Sequence, residues 1–170
     1  SPGQILRQLS EGRVILYRLT IAEGLNLYQV AARAAATGLC AKEDFIDIAA
    51  NPDFAKKMDI PAKNVEGYLF PETYFFSGSA SARDIISTMI KRFNHVFSGQ
   101  WEKRASETGF SVHEIVILAS IIEKETGVDK ERKLVSSVFH NRLKKGMRLT
   151  SDPTVIYGLR DFNRTLNRKA

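Results

Sequence analysis

Residues 115–126 read IVILASIIEKET, an apolar stretch that ends in two acids, Glu123 and Glu125. On an α-helix, Glu123 lies over Ala119 and Ser120, whose small side chains leave room for a ligand. Glu125 points about 200° away, because each helical residue turns the chain by about 100°. The stretch predicts a buried helix with one acid facing a cleft, and the rotation favours Glu123. A core helix with a solvated polar end has the same pattern.

Composition indicates a globular protein and excludes several kinds of site. The 170 residues suffice for one sizeable core or two smaller ones, and 44% of them are hydrophobic. No apolar run approaches the length of about 20 residues that a transmembrane helix needs. The single Cys40 excludes an intrachain disulfide and a cysteine-rich metal site. His95, His113 and His140 lack metal-ligand spacing, so we expect no metal site.

The net charge is +6, and much of the basic excess lies late in the chain. The late basic residues are Arg142, Lys144, Lys145, Arg148, Arg160, Arg164, Arg168 and Lys169. Nucleic acid, an anionic membrane surface or an anionic polymer would suit such a stretch, and a solvated basic face is the simplest interpretation. Few aromatics lie nearby, so a base-stacking surface is not indicated and no nucleic-acid partner is expected.

The first part of the chain predicts a small unit of one strand and two helices. Apolar spacing indicates an amphipathic helix at residues 2–10, and the β-branched and aromatic residues 14–21 indicate a strand. Asn26 caps a helix that runs to about Ala36. A second helix covers residues 42–50 and ends at Asn51-Pro52.

Residues 65–76, VEGYLFPETYFF, contain five aromatics in twelve residues. Pro71 excludes a regular central strand, because proline cannot donate to a strand ladder. Two interpretations remain open for this segment. It is either an aromatic-rich strand pair that joins two subdomains, or a surface that stacks on the apolar faces of sugar rings.

The remaining chain predicts helices separated by short breaks. The helices cover residues 82–97, 100–108, 112–126, 130–145 and 152–158. Ser81 and the capping box of Ser111 with Glu114 mark two of the starts. Asp152-Pro153 starts the last helix, and Gly158 ends it.

The sequence contains no serine nucleophile elbow, phosphate-binding glycine loop, HExxH or CxxC motif. The remaining chemistry is that of an acid, centred on Glu123. A carboxyl group in a semi-apolar cleft can act as a general acid near neutral pH. The elements that follow Glu123 carry four further polar candidates, which are Asn141, Arg142, Asp152 and Tyr157.

Three motifs occur in a specific order. They are VEGYLFPETYFF (65–76), LASIIEKETG (118–127) and SSVFHNRLKKGMRLTSDPTVIYG (136–158), and they follow the opening VILYRLTIAEGLNLYQVA (14–31). Together they closely resemble the YceG-like, or MltG, family of endolytic murein transglycosylases, formerly labelled aminodeoxychorismate lyases. The resemblance covers nearly the whole chain. Thr150, where the family often has Gln, and His140 depart from the family pattern.

The resemblance implies an α+β fold with two domains. A small LysM-like β-α-α subdomain at about residues 13–64 lies in the N-terminal region 1–64. A mainly helical, lysozyme-like catalytic domain covers residues 65–170. Family members have a single-pass anchor in the inner membrane and a catalytic domain on the extracytoplasmic side of the cell envelope. They continue past the position of Ala170, so the anchor and the C-terminal part of the catalytic domain are expected to lie outside this chain.

The resemblance also implies an activity: cleavage of the MurNAc-β-1,4-GlcNAc bond within glycan strands, which leaves a 1,6-anhydro-MurNAc end and terminates strand elongation. Most glycosidases use two carboxylates. A lytic transglycosylase can use one, because the 6-hydroxyl of the sugar attacks in place of water. Glu123 matches the catalytic Glu of the family, with no cofactor. The implied partners are peptidoglycan glycan strands and the peptidoglycan synthases.

The motif positions implied to bind substrate or to support the cleft are Asn141, Arg142, Asp152, Tyr157, Glu66 and Tyr74. Structural alternatives exist for two of them, since Asp152 suits a helix cap and Arg142 suits an ion pair with a nearby acid. Glu125 remains the rival of Glu123. A non-catalytic glycan-binding module is the alternative function. A pyridoxal-phosphate lyase, suggested by the former family label, is disfavoured because no lysine or glycine loop suits that cofactor.

Overall fold

The structure is a computed structural model that describes the backbone of residues 14–167 and the side chains of residues 14–159. Its fold is mixed α+β and mainly helical, with one two-stranded sheet, which confirms the predicted class. Two compact units divide the chain between Lys103 and Arg104. The helix predicted at residues 2–10 lies outside the described residues.

The first unit packs four helices and a two-stranded sheet. Its elements are β1 (Leu16–Thr20), α1 (Leu27–Ala35), α2 (Lys42–Ala49), α3 (Pro52–Lys57), β2 (Thr73–Ser77) and α4 (Ala82–Phe97). The strands are antiparallel, with Leu19 opposite Tyr74 and Thr20 opposite Thr73. α2 lies between α1 and α4. The core is formed by apolar side chains of these helices, and its members include Leu27, Val30, Ala31, Ala34, Phe45, Ala49, Ile85, Ile86 and Met89.

Side-chain caps explain where α1, α3 and α4 start, whereas α2 begins after Ala41 without one. The Asn26 side chain accepts a hydrogen bond from the N–H of Gln29, and Ser81 accepts one from the N–H of Asp84, so both predicted caps are present. Asp84 also completes a capping box with Ser81, which was not predicted. α3 was not predicted either. Asn51 ends one helix and its side chain also caps the next by accepting from the N–H of Phe54, while Pro52 takes the first helical position.

The aromatic segment 65–76 contributes one strand to the sheet, at its C-terminal end. Pro71 precedes that strand. Glu72 then binds Arg92 on α4 through two contacts, Nε to Oε2 at 2.6 Å and Nη2 to Oε1 at 3.1 Å. Both rings on the inner face of β2, those of Tyr74 and Phe76, are buried. The segment therefore fastens the sheet to α4 within the first unit.

The predicted LysM-like region lies wholly within the first unit, and its strand β1 pairs with β2. β2 belongs to the region that the sequence assigned to the catalytic domain. The division into a LysM-like subdomain and a catalytic domain remains a prediction.

The second unit is helical in its described part. Its elements are the end of α5 (Gln100–Thr108), α6 (Val112–Glu125), α7 (Asp129–Lys144) and α8 (Asp152–Asn167). The predicted capping box is present, since Ser111 accepts from the N–H of Glu114 and the Glu114 carboxylate accepts from the N–H of Ser111. α6 packs against both α7 and α8.

Two predictions for this unit are wrong. α8 continues through Gly158 to Asn167, because a glycine inside a helix costs only about 1 kcal/mol relative to alanine and Leu159 and Arg160 favour helix. α6 is also less buried than its apolar sequence predicts. Of its side chains only Leu118 is buried, since α7 and α8 cover only part of its circumference. Likewise, Phe139 is the one buried side chain on α7.

Within residues 14–167, no single helix is both long and apolar enough to span a membrane. α5 and α6 reach that length and composition only as a pair, and the chain bends by 91° between them.

Candidate active site

Glu123 lies in the last turn of α6 and forms an ion pair with Arg132 of α7. Nη2 of Arg132 is 3.1 Å from Oε2 and 3.3 Å from Oε1 of Glu123. The Glu123 side chain is 30% exposed and that of Arg132 is 34% exposed, so the pair is half-buried. Ala119 and Ser120, one turn earlier on α6, are exposed. The acid thus lies beside a face of small residues that is open to solvent.

A tight corner after α6 positions Arg132 opposite Glu123. Thr126 ends the helix and is buried. Its hydroxyl donates to Oε2 of Glu131 at 2.9 Å and accepts from the N–H of Val128 at 3.1 Å. These bonds turn the chain within three residues, so that α7 begins at Asp129 beside the end of α6.

Glu125 has a different partner. Its Oε2 accepts a hydrogen bond of 2.7 Å from the hydroxyl of Ser151, the residue that precedes α8. Ser151 is only 3% exposed. The two acids therefore contact different elements, as the helical rotation predicts. Glu123 contacts α7, and Glu125 ties the start of α8 to the end of α6.

Arg142 holds the connection between α7 and α8. Its Nη1 donates to the backbone oxygen of Leu149 and to Oγ1 of Thr150 at 3.1 Å. The described partners of Arg142 thus lie in the connection between the two helices. The structural alternative from the sequence predicted an ion pair with a nearby acid instead. Thr150 has a φ of 49°, a left-handed conformation that β-branched residues rarely adopt. Arg142 on one side and the Ser151–Glu125 bond on the other hold this strained corner in place.

The other candidates in the second unit are exposed. Asn141 lies on α7, Asp152 is the first residue of α8, and Tyr157 lies further along α8. Asp152 is the first residue of α8, so Ser151, which precedes the helix, takes the position that the structural alternative assigned to Asp152. The structure places all three in the same unit as Glu123.

Glu66 and Tyr74 lie in the first unit. Oε1 of Glu66 accepts from the N–H of Leu27 at 3.2 Å, at the start of α1. The hydroxyl of Tyr74 donates to the backbone oxygen of Phe70 at 2.7 Å. Burial, together with the negative charge of Glu72, raises the pKa of Tyr74 to about 12. Both side chains contact the backbone of their own unit, which gives them a structural role there.

The site consists of one half-buried carboxylate, its guanidinium partner and an anchored corner. Within the described residues, no three His, Cys, Asp or Glu side chains are grouped so that they could hold a metal ion. The arrangement suits proton transfer by a single carboxyl group. Sequence reasoning missed Arg132 and Ser151. Only Arg132 had a visible signal, since it lies on the helix predicted at residues 130–145 and follows Asp129 by three residues.

Comparison with known proteins identifies the family. The family model described as "YceG-like family" matches residues 1–170. The chain belongs to the YceG-like family.

Three relatives illustrate how far the similarity extends. This YceG-like chain is 34% identical to an endolytic murein transglycosylase of Bacillus subtilis, over 90% of the chain and 47% of the relative. It is 29% identical to one of Streptococcus pneumoniae, over 92% of the chain and 33% of the relative. A crystal structure of a YceG-like protein from Listeria monocytogenes matches 94% of the chain with a TM-score of 0.78 and 35% identity. The match covers 58% of that crystallised chain. The chain thus spans about half the length or less of the curated relatives it matches.

Proposed function

We propose that this chain contributes the acid of an endolytic murein transglycosylase, which cleaves the MurNAc-β-1,4-GlcNAc bond within glycan strands. The observation that supports it is Glu123, a half-buried carboxylate at an open face of small residues, paired with Arg132. The names of the Bacillus and Streptococcus relatives supply the reaction class. A half-buried carboxyl group at such a face fits a reaction that needs proton transfer.

In the proposed reaction Glu123 donates a proton in the first step and receives one in the second. Glu123 first gives its proton to the glycosidic oxygen, and the bond between that oxygen and C1 of MurNAc breaks. The 6-hydroxyl of the same MurNAc then attacks C1, and its proton passes to the Glu123 carboxylate. The products are a 1,6-anhydro-MurNAc end and a GlcNAc with a free 4-hydroxyl, so no water is consumed and the acid is regenerated.

The exposed polar candidates of the second unit are assigned to the glycan. Asn141, Asp152 and Tyr157 present polar groups in the same unit as Glu123, and we assign them to substrate binding. Arg142 acts indirectly, since its described bonds hold the corner at Thr150. Glu66 and Tyr74 support the fold of the first unit.

The proposed activity places the protein in the cell envelope, where peptidoglycan is the substrate. We further propose the finer arrangement that the family resemblance implies. A single-pass anchor in the cytoplasmic membrane would precede this chain, and the catalytic domain would lie on the extracytoplasmic side. There it would terminate nascent strands beside the peptidoglycan synthases.

The test compares the two acids in the full-length protein. Purified sacculi are digested with wild type, Glu123→Gln and Glu125→Gln, and anhydro-ended fragments are counted by mass spectrometry. We expect the Glu123 variant to lose the product and the Glu125 variant to keep it. Product from Glu123→Gln at the wild-type rate would remove this residue from the mechanism. Loss of product in Glu125→Gln alone would transfer the role to the rival acid.

One observation favours a non-catalytic glycan-binding module as the second candidate. Phe75 is 60% exposed on the outer face of β2, opposite Arg18 of β1. An exposed ring beside a charged group is suited to stacking on a sugar. Under this alternative, wild-type protein would sediment with sacculi and release no anhydro-ended product.

A further inference from the structure

Arg132 lies between two carboxylates. Its Nη2 contacts both oxygens of Glu123, and its Nη1 is 3.3 Å from Oδ1 of Asp129, the first residue of α7. Asp129 is 85% exposed, whereas Arg132 is mostly covered. The guanidinium is therefore oriented from its own helix by Asp129 while it reaches across to α6.

The contact with Glu123 differs from the ion pair of Arg92 with Glu72 in the first unit. Arg92 binds Glu72 with two nitrogens on two oxygens, the fork that gives the tightest arginine–carboxylate pairs. Arg132 offers Glu123 a single nitrogen at longer distances, and its second terminal nitrogen is engaged with Asp129. Arg92 fixes the carboxylate of Glu72 in place, whereas Arg132 orients the carboxylate of Glu123 and lets it exchange partners.

The corner after α6 does not depend on this pair. Thr126 closes it through Val128 and Glu131, and Ser151 fastens the start of α8 to Glu125. Because those bonds already fix the helices, the Arg132–Glu123 contact is available for a role other than holding the fold together.

We propose that Arg132 is a positioning residue for Glu123 and that Asp129 sets the orientation of its guanidinium. The proposal rests on the proposed function of Glu123. When Glu123 gives its proton to the glycosidic oxygen, it becomes a carboxylate, and the adjacent guanidinium stabilises that charge while fixing the carboxyl plane. The same contact keeps the carboxylate aimed for the return of the proton from the 6-hydroxyl.

The experiment uses the full-length protein and soluble glycan strands of defined length, with release of anhydro-ended product as the rate. The variants are Arg132→Gln, Arg132→Lys and Asp129→Asn. The matched control is Arg104→Gln, which removes an exposed arginine that pairs with Glu107 three residues along its own helix. Thermal melting of each variant reports whether it is folded.

Arg132→Gln is expected to lower kcat by about 100-fold, the usual effect of misplacing a reacting group, without raising KM. Arg132→Lys should recover part of the lost kcat, because the charge returns without the planar fork. Asp129→Asn should lower kcat by about fivefold at most, since exposed pairs are weak. Arg104→Gln should leave kcat and KM unchanged.

Three results would overturn the positioning role. They are a kcat of Arg132→Gln equal to that of Arg104→Gln, a rise in KM with unchanged kcat, and no recovery in the folded lysine variant. If Arg132→Gln does not fold, the kcat values of Arg132→Lys and Asp129→Asn are compared with that of Arg104→Gln instead, and values equal to it would overturn the proposal. An inactive wild type would instead refute the proposed function, so the two failures are distinguishable.

Discussion

Glu125 is expected to stabilise the second unit through Ser151 and to take no part in proton transfer. The perturbation is Ser151→Ala, which removes the hydroxyl that donates to Oε2 of Glu125 at 2.7 Å. A hydrogen bond to a charged group contributes about 1.5–3 kcal/mol. Water can solvate Glu125 once the bond is lost, because this residue is exposed, so the lower end of that range applies.

We therefore expect the free energy of unfolding to fall by about 1.5 kcal/mol, which lowers Tm by about 3–6 °C for a chain of this size. The assay is urea unfolding followed by circular dichroism, repeated for Glu125→Ala and for the double variant. The double-mutant cycle should give a coupling energy of about 1 kcal/mol, since both single variants break the same bond. Glu125→Gln is the matched control, because its side-chain oxygen can still accept from Ser151.

A coupling energy near zero would refute this reasoning, because each change would then act on a different part of the unit. A free energy of unfolding of Ser151→Ala equal to that of wild type would also refute it. Loss of cleavage in a fully folded Glu125→Gln protein would show that the acid acts in the reaction as well.

Three further predictions concern stability. Burial raises the pKa of Tyr74 from 10.0 to about 12. The stability that its protonated phenol contributes should therefore be fully present below about pH 10 and be lost as pH rises through 12. Urea unfolding at each pH should show this loss in wild type and a smaller one in Tyr74→Phe. Ser111→Ala should lower the free energy of unfolding by about 1 kcal/mol through loss of the cap of α6. Urea unfolding measures this against Ser137→Ala, which changes an exposed serine within α7 that caps no helix. Thr150→Asn should raise it by about 0.5–1 kcal/mol, since asparagine tolerates a φ of 49° and keeps an acceptor for Arg142; a Tm below that of wild type would contradict the assignment of strain.

Local signals in the sequence predicted most of the helices of the first unit. Asn26 and Ser81 mark starts that the structure reproduces, because a cap bond joins residues only three apart. α3 escaped notice because Asn51-Pro52 was interpreted only as a stop. In the second unit the pattern of apolar residues overestimated burial, since periodicity shows which face is apolar but not how much of it is covered.

The site was predictable only in part. Helical rotation correctly separates Glu123 from Glu125, because 3.6 residues per turn is a local property. Their partners are not local, since Arg132 is nine residues from Glu123 and Ser151 is 26 residues from Glu125. Both depend on the corner at Thr126, where a hydroxyl bond to Glu131 sets how α7 leaves α6. Nothing in the apolar pattern encodes the angle of such a corner.

Three carboxylates have different kinds of partner, and we propose that Glu123 is the reactive one. Glu72 is clamped by two nitrogens of Arg92, and Glu125 is bound by the hydroxyl of a buried serine. Each of these bonds joins two elements of the fold, so Glu72 and Glu125 have structural roles. Glu123 has a single-nitrogen contact to a guanidinium shared with Asp129, and the adjoining helices are fastened by other bonds. Proton transfer at Glu123, as we propose, would therefore leave those bonds in place, which a group that acts first as acid and then as base requires.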